Sequence, residues 1–112
     1  MTPHPLVDVL RADMAAAANA DDAAAMQAYM KSEQPFYGVN SKARRAVFRQ
    51  ARKRHPITSR DEYRDVIFDL WRGVYREEMY LALDVAELVK PYRDLESWPI
   101  YVDLMRSAPW WD

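Results

Sequence analysis

Eight basic residues fall in a stretch with no acid in it. Between Glu33 and Asp61 the sequence holds Lys42, Arg44, Arg45, Arg49, Arg52, Lys53, Arg54 and Arg60. The rest of the chain therefore carries eight Lys and Arg against all 17 acids, although the net charge is only −1. A neutral protein with one strongly basic element presents that element to an anion. On a helix, at about 100° per residue, Ala43, Val47, Phe48 and Ala51 fall on one side. Lys42, Arg45, Arg49, Arg52 and Lys53 fall on the other, with no acid between them. Exposed helices usually mix signs for i,i+4 pairing, so this face suits phosphates, and sequence-independent backbone contact is the chemistry expected of it. A solvated helix face is the plainer alternative. Arg44 lands on the apolar side and calls for a carboxylate partner.

The aromatic residues are the second chemical feature. The sequence closes on "SAPWWD", where Trp110 and Trp111 are adjacent. On a helix they diverge by about 100°, so one can pack inward while the other lines a groove. Trp71 and Trp98 lie within or beside apolar stripes and are expected in the core. Tyr29 sits next to Met30, just before a loop, and its setting stays open.

These residues need helices to position them. Two glycines, seven scattered prolines and many Ala, Leu, Glu, Arg and Met residues favour an all-α chain. "PLVDVLRADMAAAA" places Leu6, Leu10, Met14 and Ala17 on one stripe. "NADDAAAMQAYMK" follows, with Asp21 or Asp22 placed to cap its start and Met26 and Met30 one turn apart. "SEQPFYGVN" breaks the pattern at Pro35 and Gly38 and reads as a loop. Ser41 is the expected N-cap of the basic helix, which Pro56 stops. Ser59 and Glu62 fit a capping box opening a helix along Tyr63, Val66, Ile67, Leu70, Trp71 and Val74, with Gly73 at or near its end. "YREEMYLALDVAELVKPY" is apolar around much of its circumference, as in a helix packed on both sides. Another helix runs from about Pro99 to Arg106, and Pro109 opens a further one. About six helices with short loops and no strand pattern suit a helical-repeat solenoid or an irregular bundle. No strict internal repeat is visible, and helix pairs at roughly 35 to 40 residue spacing are compatible with degenerate HEAT-like units without deciding between the two.

At 112 residues the chain is one domain at most. Its hydrophobic half and ordinary charged fraction of 29% mark it as globular. It has no apolar run of about 18 residues and no signal-peptide pattern, so a soluble cytoplasmic protein is expected. With no cysteine and only His4 and His55, disulfides, thiolate metal sites and a zinc site are not expected.

"AYMKSEQPFYGVNSKARRAVFR" followed by "WPIYVDLMRSAPWWD" resembles the DNA alkylation repair glycosylases built of HEAT-like repeats. The likeness rests on Tyr29-Met30-Lys31, Phe36-Tyr37-Gly38-Val39, Arg44-Arg45 and Trp110-Trp111-Asp112, in that order. Each motif alone is unspecific, and order and spacing together carry the resemblance. It implies an α-solenoid whose basic concave face cradles double-stranded DNA, and excision of N3- and N7-alkylated purines without metal or organic cofactor. It places Trp111 in the lesion cleft with Tyr29 and Asn40 near the DNA. Trp110 would pack inward, and Lys42 and Arg45 would face phosphates. It also implies that residues 1–112 are the N-terminal part of one helical domain. In the family the catalytic aspartate lies one turn after the second Trp, which here would fall beyond Asp112. Asp112 itself is the wrong aspartate. Two other readings stand beside this one, a non-catalytic nucleic-acid-binding repeat module and a protein-interaction scaffold. The resemblance implies action on DNA, with nucleoid association there, whereas the repeat module would bind DNA or RNA and the scaffold an acidic partner protein. A repeat stack open at one end is also expected to self-associate.

Overall fold

The helices begin where short polar side chains can accept the free N–H groups of a first turn. In the computed structural model, which describes residues 4–107, α1 spans Pro5–Ala17, α2 Ala20–Met30, α3 Ser41–Arg54, α4 Arg60–Trp71, α5 Arg76–Leu88 and α6 Trp98–Ser107. Two 3₁₀ turns, Lys90–Tyr92 and Leu95–Ser97, join α5 to α6. Every element among the described residues is helical, and the fold is the expected all-α helical-repeat fragment. The Pro109 helix start falls outside them.

Two caps differ from expectation by a residue or two. Asn19, not Asp21 or Asp22, caps α2, its side chain accepting from Asp22 N at 3.0 Å. The aspartates instead occupy the first turn, where acids favour the helix dipole. Asn40, not Ser41, caps α3, accepting from Ala43 N at 2.8 Å. In both places an asparagine directly precedes the helix in extended backbone and reaches the N3 amide first. Ser59 does cap α4, but only half of the capping box forms. The Glu62 carboxylate accepts from Thr58 Oγ1 at 2.6 Å and meets His4 Nε2 at 2.6 Å. Gly73 follows the end of α4, as expected, and Val74 lies past it, 67% exposed.

The helices stack in two layers. Constant pairing offsets show α1 and α4 running in the same direction: His4 meets Glu62, and Arg11 reaches Asp69 at 3.3 Å. α6 packs on α4, completing a layer of α1, α4 and α6. α3 and α5 form the other layer, also running the same way, with Arg44 against Asp84 and Arg52 reaching the Leu88 carbonyl. α4 and α5 form the antiparallel hairpin between layers. Leu6, Leu10, Met14, Phe48, Tyr63, Ile67, Leu70, Leu81 and Val85 fill the space between them. Tyr63 ties α4 to both neighbours, with its hydroxyl at 2.6 Å from the Ala86 carbonyl and 2.8 Å from Tyr101 Oη.

Two apolar expectations fail for reasons of helix register. Ala17 is exposed because α1 ends there, and Val7 takes the fourth place beside Leu6, Leu10 and Met14. Trp71 is buried, but Trp98 is 58% exposed. Ile100 and Leu104 form the buried stripe of α6, and Trp98 lies about 200° around the helix from Ile100.

The Phe36–Val39 stretch is buried and locked at both ends. Its amides at Tyr37, Gly38 and Val39 all donate to the Glu77 carboxylate, at 2.9, 2.9 and 3.1 Å. The Tyr37 carbonyl accepts from Asn19 N at 3.0 Å. Gly38 has φ +87, and a β-carbon there would run into the Asn19 carbonyl oxygen. Glycine is therefore required both by backbone conformation and by the close approach of α2. α2 itself has no buried residue and attaches mainly through this loop.

Candidate nucleic-acid interface

Placing α3 against α1 and α5 sorts its cations. Three are claimed by neighbours. Arg44 is pinned between Asp84, with Nε to Oδ2 at 2.7 Å, and the Tyr80 ring, whose centroid is 5.3 Å from its Cζ. This is the carboxylate partner that its position on the apolar side requires. Arg54 reaches Asp13 of α1 at 3.6 Å. Arg52, expected on the free face, is half-buried, lies over Phe48 and donates to the Leu88 carbonyl at 3.3 Å. It sits at the edge of the face nearest α5, where the last carbonyls of that helix lack intrahelical donors.

Lys42, Arg45, Arg49 and Lys53 remain exposed, and none of them has an ion pair among the described residues. Lys42 and Arg45 stand in the first turns of α3, which carry no acid. Cations there oppose the helix dipole, so folding alone gives no reason for them. Asn40 is exposed at the head of the same helix with its Oδ1 committed to the cap.

Tyr29 projects from α2 with 86% of its surface exposed. Ala25, Met26, Met30, Phe36 and Tyr80 join it in lining an open apolar groove of ≈ 470 Å³. Tyr80 connects this groove to α3, because its ring is the one stacked against Arg44. Tyr29 and Arg44 of α3 thus both border Tyr80. Trp111 lies outside the described residues, as do Trp110 and Asp112.

The sequence reading missed Glu77, Tyr80 and Asp84, which brace α3 and the loop before it. For the acids a signal was available: α5 sets four of them, Glu77, Glu78, Asp84 and Glu87, among apolar residues, and acids so placed demand partners. Glu78 is 3% exposed as a side chain and takes Arg11 Nε at 2.6 Å, and it also accepts from Tyr75 N at 2.9 Å. That carboxylate occupies the space beside Gly73 where any β-carbon would stand.

Displaced titrations mark these seams. Burial pushes the Tyr37 hydroxyl up to about 12, with Glu78 adding to the effect. Burial, then the bond to Tyr101, raises Tyr63. Thr58 and His4 hold Glu62 below the usual carboxylate range, and Arg60, at 2.8 Å, holds Asp94 down. Among the described residues no group of His, Cys, Asp or Glu could hold a metal ion, and no helix is long and apolar enough to cross a membrane.

The family model described as DNA alkylation repair enzyme matches residues 10–112. No curated protein matches the chain. The family match takes in every element from the middle of α1 onward, including the whole basic face, Tyr29 and the Glu77 clasp. The chain belongs to the DNA alkylation repair enzyme family, with the role in DNA alkylation repair which that membership carries.

Proposed function

We propose that α3 is the backbone-binding element of a DNA glycosylase scaffold for N3- and N7-alkylated purines. The observation that carries this is the set of four exposed cations, Lys42, Arg45, Arg49 and Lys53, which no described acid neutralises. Arg52, half-buried, flanks them and is assigned to the same phosphate contact. Such a face supplies salt-sensitive affinity without sequence preference. Tyr29, Asn40 and Trp111 are assigned to the lesion cleft.

The chemistry accounts for the aromatic residues. An N-alkylated purine is cationic, which makes it a good leaving group and attracts it to an electron-rich aromatic face. Departure of the base leaves an oxocarbenium-like sugar, which a positioned carboxylate stabilises while orienting the attacking water. The chain is expected to bind duplex DNA through α3.

The binding half of the proposal is tested by fluorescence anisotropy on duplex DNA across a salt series. Reversing Arg45 and Arg49 to glutamate should lower the affinity and reduce the salt slope by about two or more. An unchanged slope would remove α3 from the interface.

A further inference from the structure

We infer that α2 is a rocking lid, which tilts on its two attachment points and carries Tyr29 towards α5 and away from α1 when duplex DNA is bound. The inference rests on the reading of α3 as the phosphate-binding element and of Tyr29 as a cleft residue. α2 is fastened at its ends. At the first, Asn19 N donates to the Tyr37 carbonyl at 3.0 Å, and Gly38 lies close against the Asn19 carbonyl. At the second, just beyond the helix, the Arg76 side chain donates to Ser32 Oγ at 3.2 Å and the Arg76 amide to the Pro35 carbonyl at 2.9 Å. Between these points α2 buries no side chain. The chain leaves regular helix at once on either side, with Asn19 extended and Lys31 left-handed at φ 50. Residues at the ends of an element absorb the dihedral changes when it tilts on a fixed body.

Open space on both flanks gives the helix room to move. On one side Met26, Tyr29 and Met30 share with Tyr80 of α5 the groove of ≈ 470 Å³. On the other, Ala23, Ala24 and Gln27 share with Ala15 of α1 and Tyr75 a second open groove of ≈ 610 Å³. Phe36 lines both, is buried, and belongs to the loop that Glu77 holds, which makes it the fulcrum. Tilting narrows one groove as it widens the other. Apolar surface covered on one flank is uncovered on the other, so the two positions are close in free energy and no core contact breaks. A partner that meets Tyr29 in only one of them then decides between them. The closed position, with the Tyr29 groove narrowed, brings Tyr29 nearer to α5, which shares its layer with α3. Duplex held on α3 favours that position.

The test uses the full 112-residue chain, which has no cysteine of its own. Ala12→Cys with Ala28→Cys gives two spin-label sites, both exposed and outside either groove. The distance between the labels should lengthen by about 2 Å or more when duplex DNA is added, the size of a helix shift. Ala15→Phe, placed in the second groove from an exposed position on α1, should lengthen the same distance without DNA. It should also raise duplex affinity about threefold, because it removes the cost of populating the closed position. Ala24→Phe fills the same groove from α2 and repeats that test. Ala25→Phe, which fills the Tyr29 groove instead, should abolish the lengthening and lower the affinity. A bound duplex that leaves the distance unchanged, or wedges that move the distance without moving the affinity, would overturn the inference and leave the α3 reading intact. Lengthening on a duplex whose affinity ignores the Arg45 and Arg49 reversals would overturn the α3 reading alone. Binding to no duplex would remove both.

Discussion

Helices α3 and α5 lie side by side in one layer and both carry dense charge, yet their charges meet opposite fates. Along α3 four cations of one sign face outward, with no ion pair among the described residues. Along α5, Arg76, Glu77, Glu78 and Asp84 are all buried. Burying a charge is costly unless it is paired and fully hydrogen-bonded. The buried acids of α5 meet that condition: Glu77 by three loop amides, Glu78 by Arg11 and Tyr75, Asp84 by Arg44. On α5 the charges that serve the fold are matched and hidden, whereas those of α3 are single-signed and exposed, as the proposed phosphate contact requires.

The comparison can be broken first at Glu77. Glu77→Ala would leave three buried amides without an acceptor, and loss of about 3–5 kcal/mol of stability is expected, read from urea unfolding. A cost below about 1 kcal/mol would show that water replaces the carboxylate and that the clasp is incidental. Asp84→Ala should cost somewhat less, about 2–4 kcal/mol, because Arg44 loses its ion pair but keeps the Tyr80 ring. Adding Arg44→Leu to Asp84→Ala should recover much of that loss, since the stranded charge goes with it. Reversal of Arg45 and Arg49 belongs at the other pole. It should leave stability within about 0.5 kcal/mol while DNA affinity falls. A large destabilisation there would mean that the exposed face also serves the fold.

The smallest expected effects are those of pH. Asp94 and Glu62 titrate below their unfolded values, so they stabilise the fold at neutral pH. That contribution should fade as the pH falls below about 4, where the unfolded carboxylates begin to take up protons. Tyr37 moves the opposite way, up to about 12, so its contribution is complete below about pH 10 and lost on going above it. Asp94→Asn should flatten the acid limb of the stability profile, and an unaltered limb would assign it to other carboxylates.

The helices were legible in the sequence because apolar periodicity is local, and Leu6, Leu10, Met14 and the Tyr63–Trp71 stripe could be seen without the fold. Arg44 announced a partner through its angle on the helix, but not which one, because Asp84 is 40 positions away. Caps slipped where two capping residues adjoin, as at Asn40 and Ser41, since either can serve until the backbone direction is known. Trp98 was misplaced because a stripe was assumed to begin at the helix end, when it begins at Ile100. Arg52 was assigned to the free face since the Leu88 carbonyl belongs to a helix that no single-helix projection contains. The Tyr29 groove was invisible for the same reason, being assembled from α2, the Phe36 loop and α5.

That α2 buries no side chain has a consequence for how this surface can change. Its position is dictated by the Gly38 clasp and hardly at all by its own outward residues, in the manner of a plate bolted along one edge. Residues such as Ala25, Tyr29 and Met30 can then be exchanged with little penalty to folding. The molecule thus offers a face whose chemistry can be rewritten, by selection or by design, independently of the body that carries it.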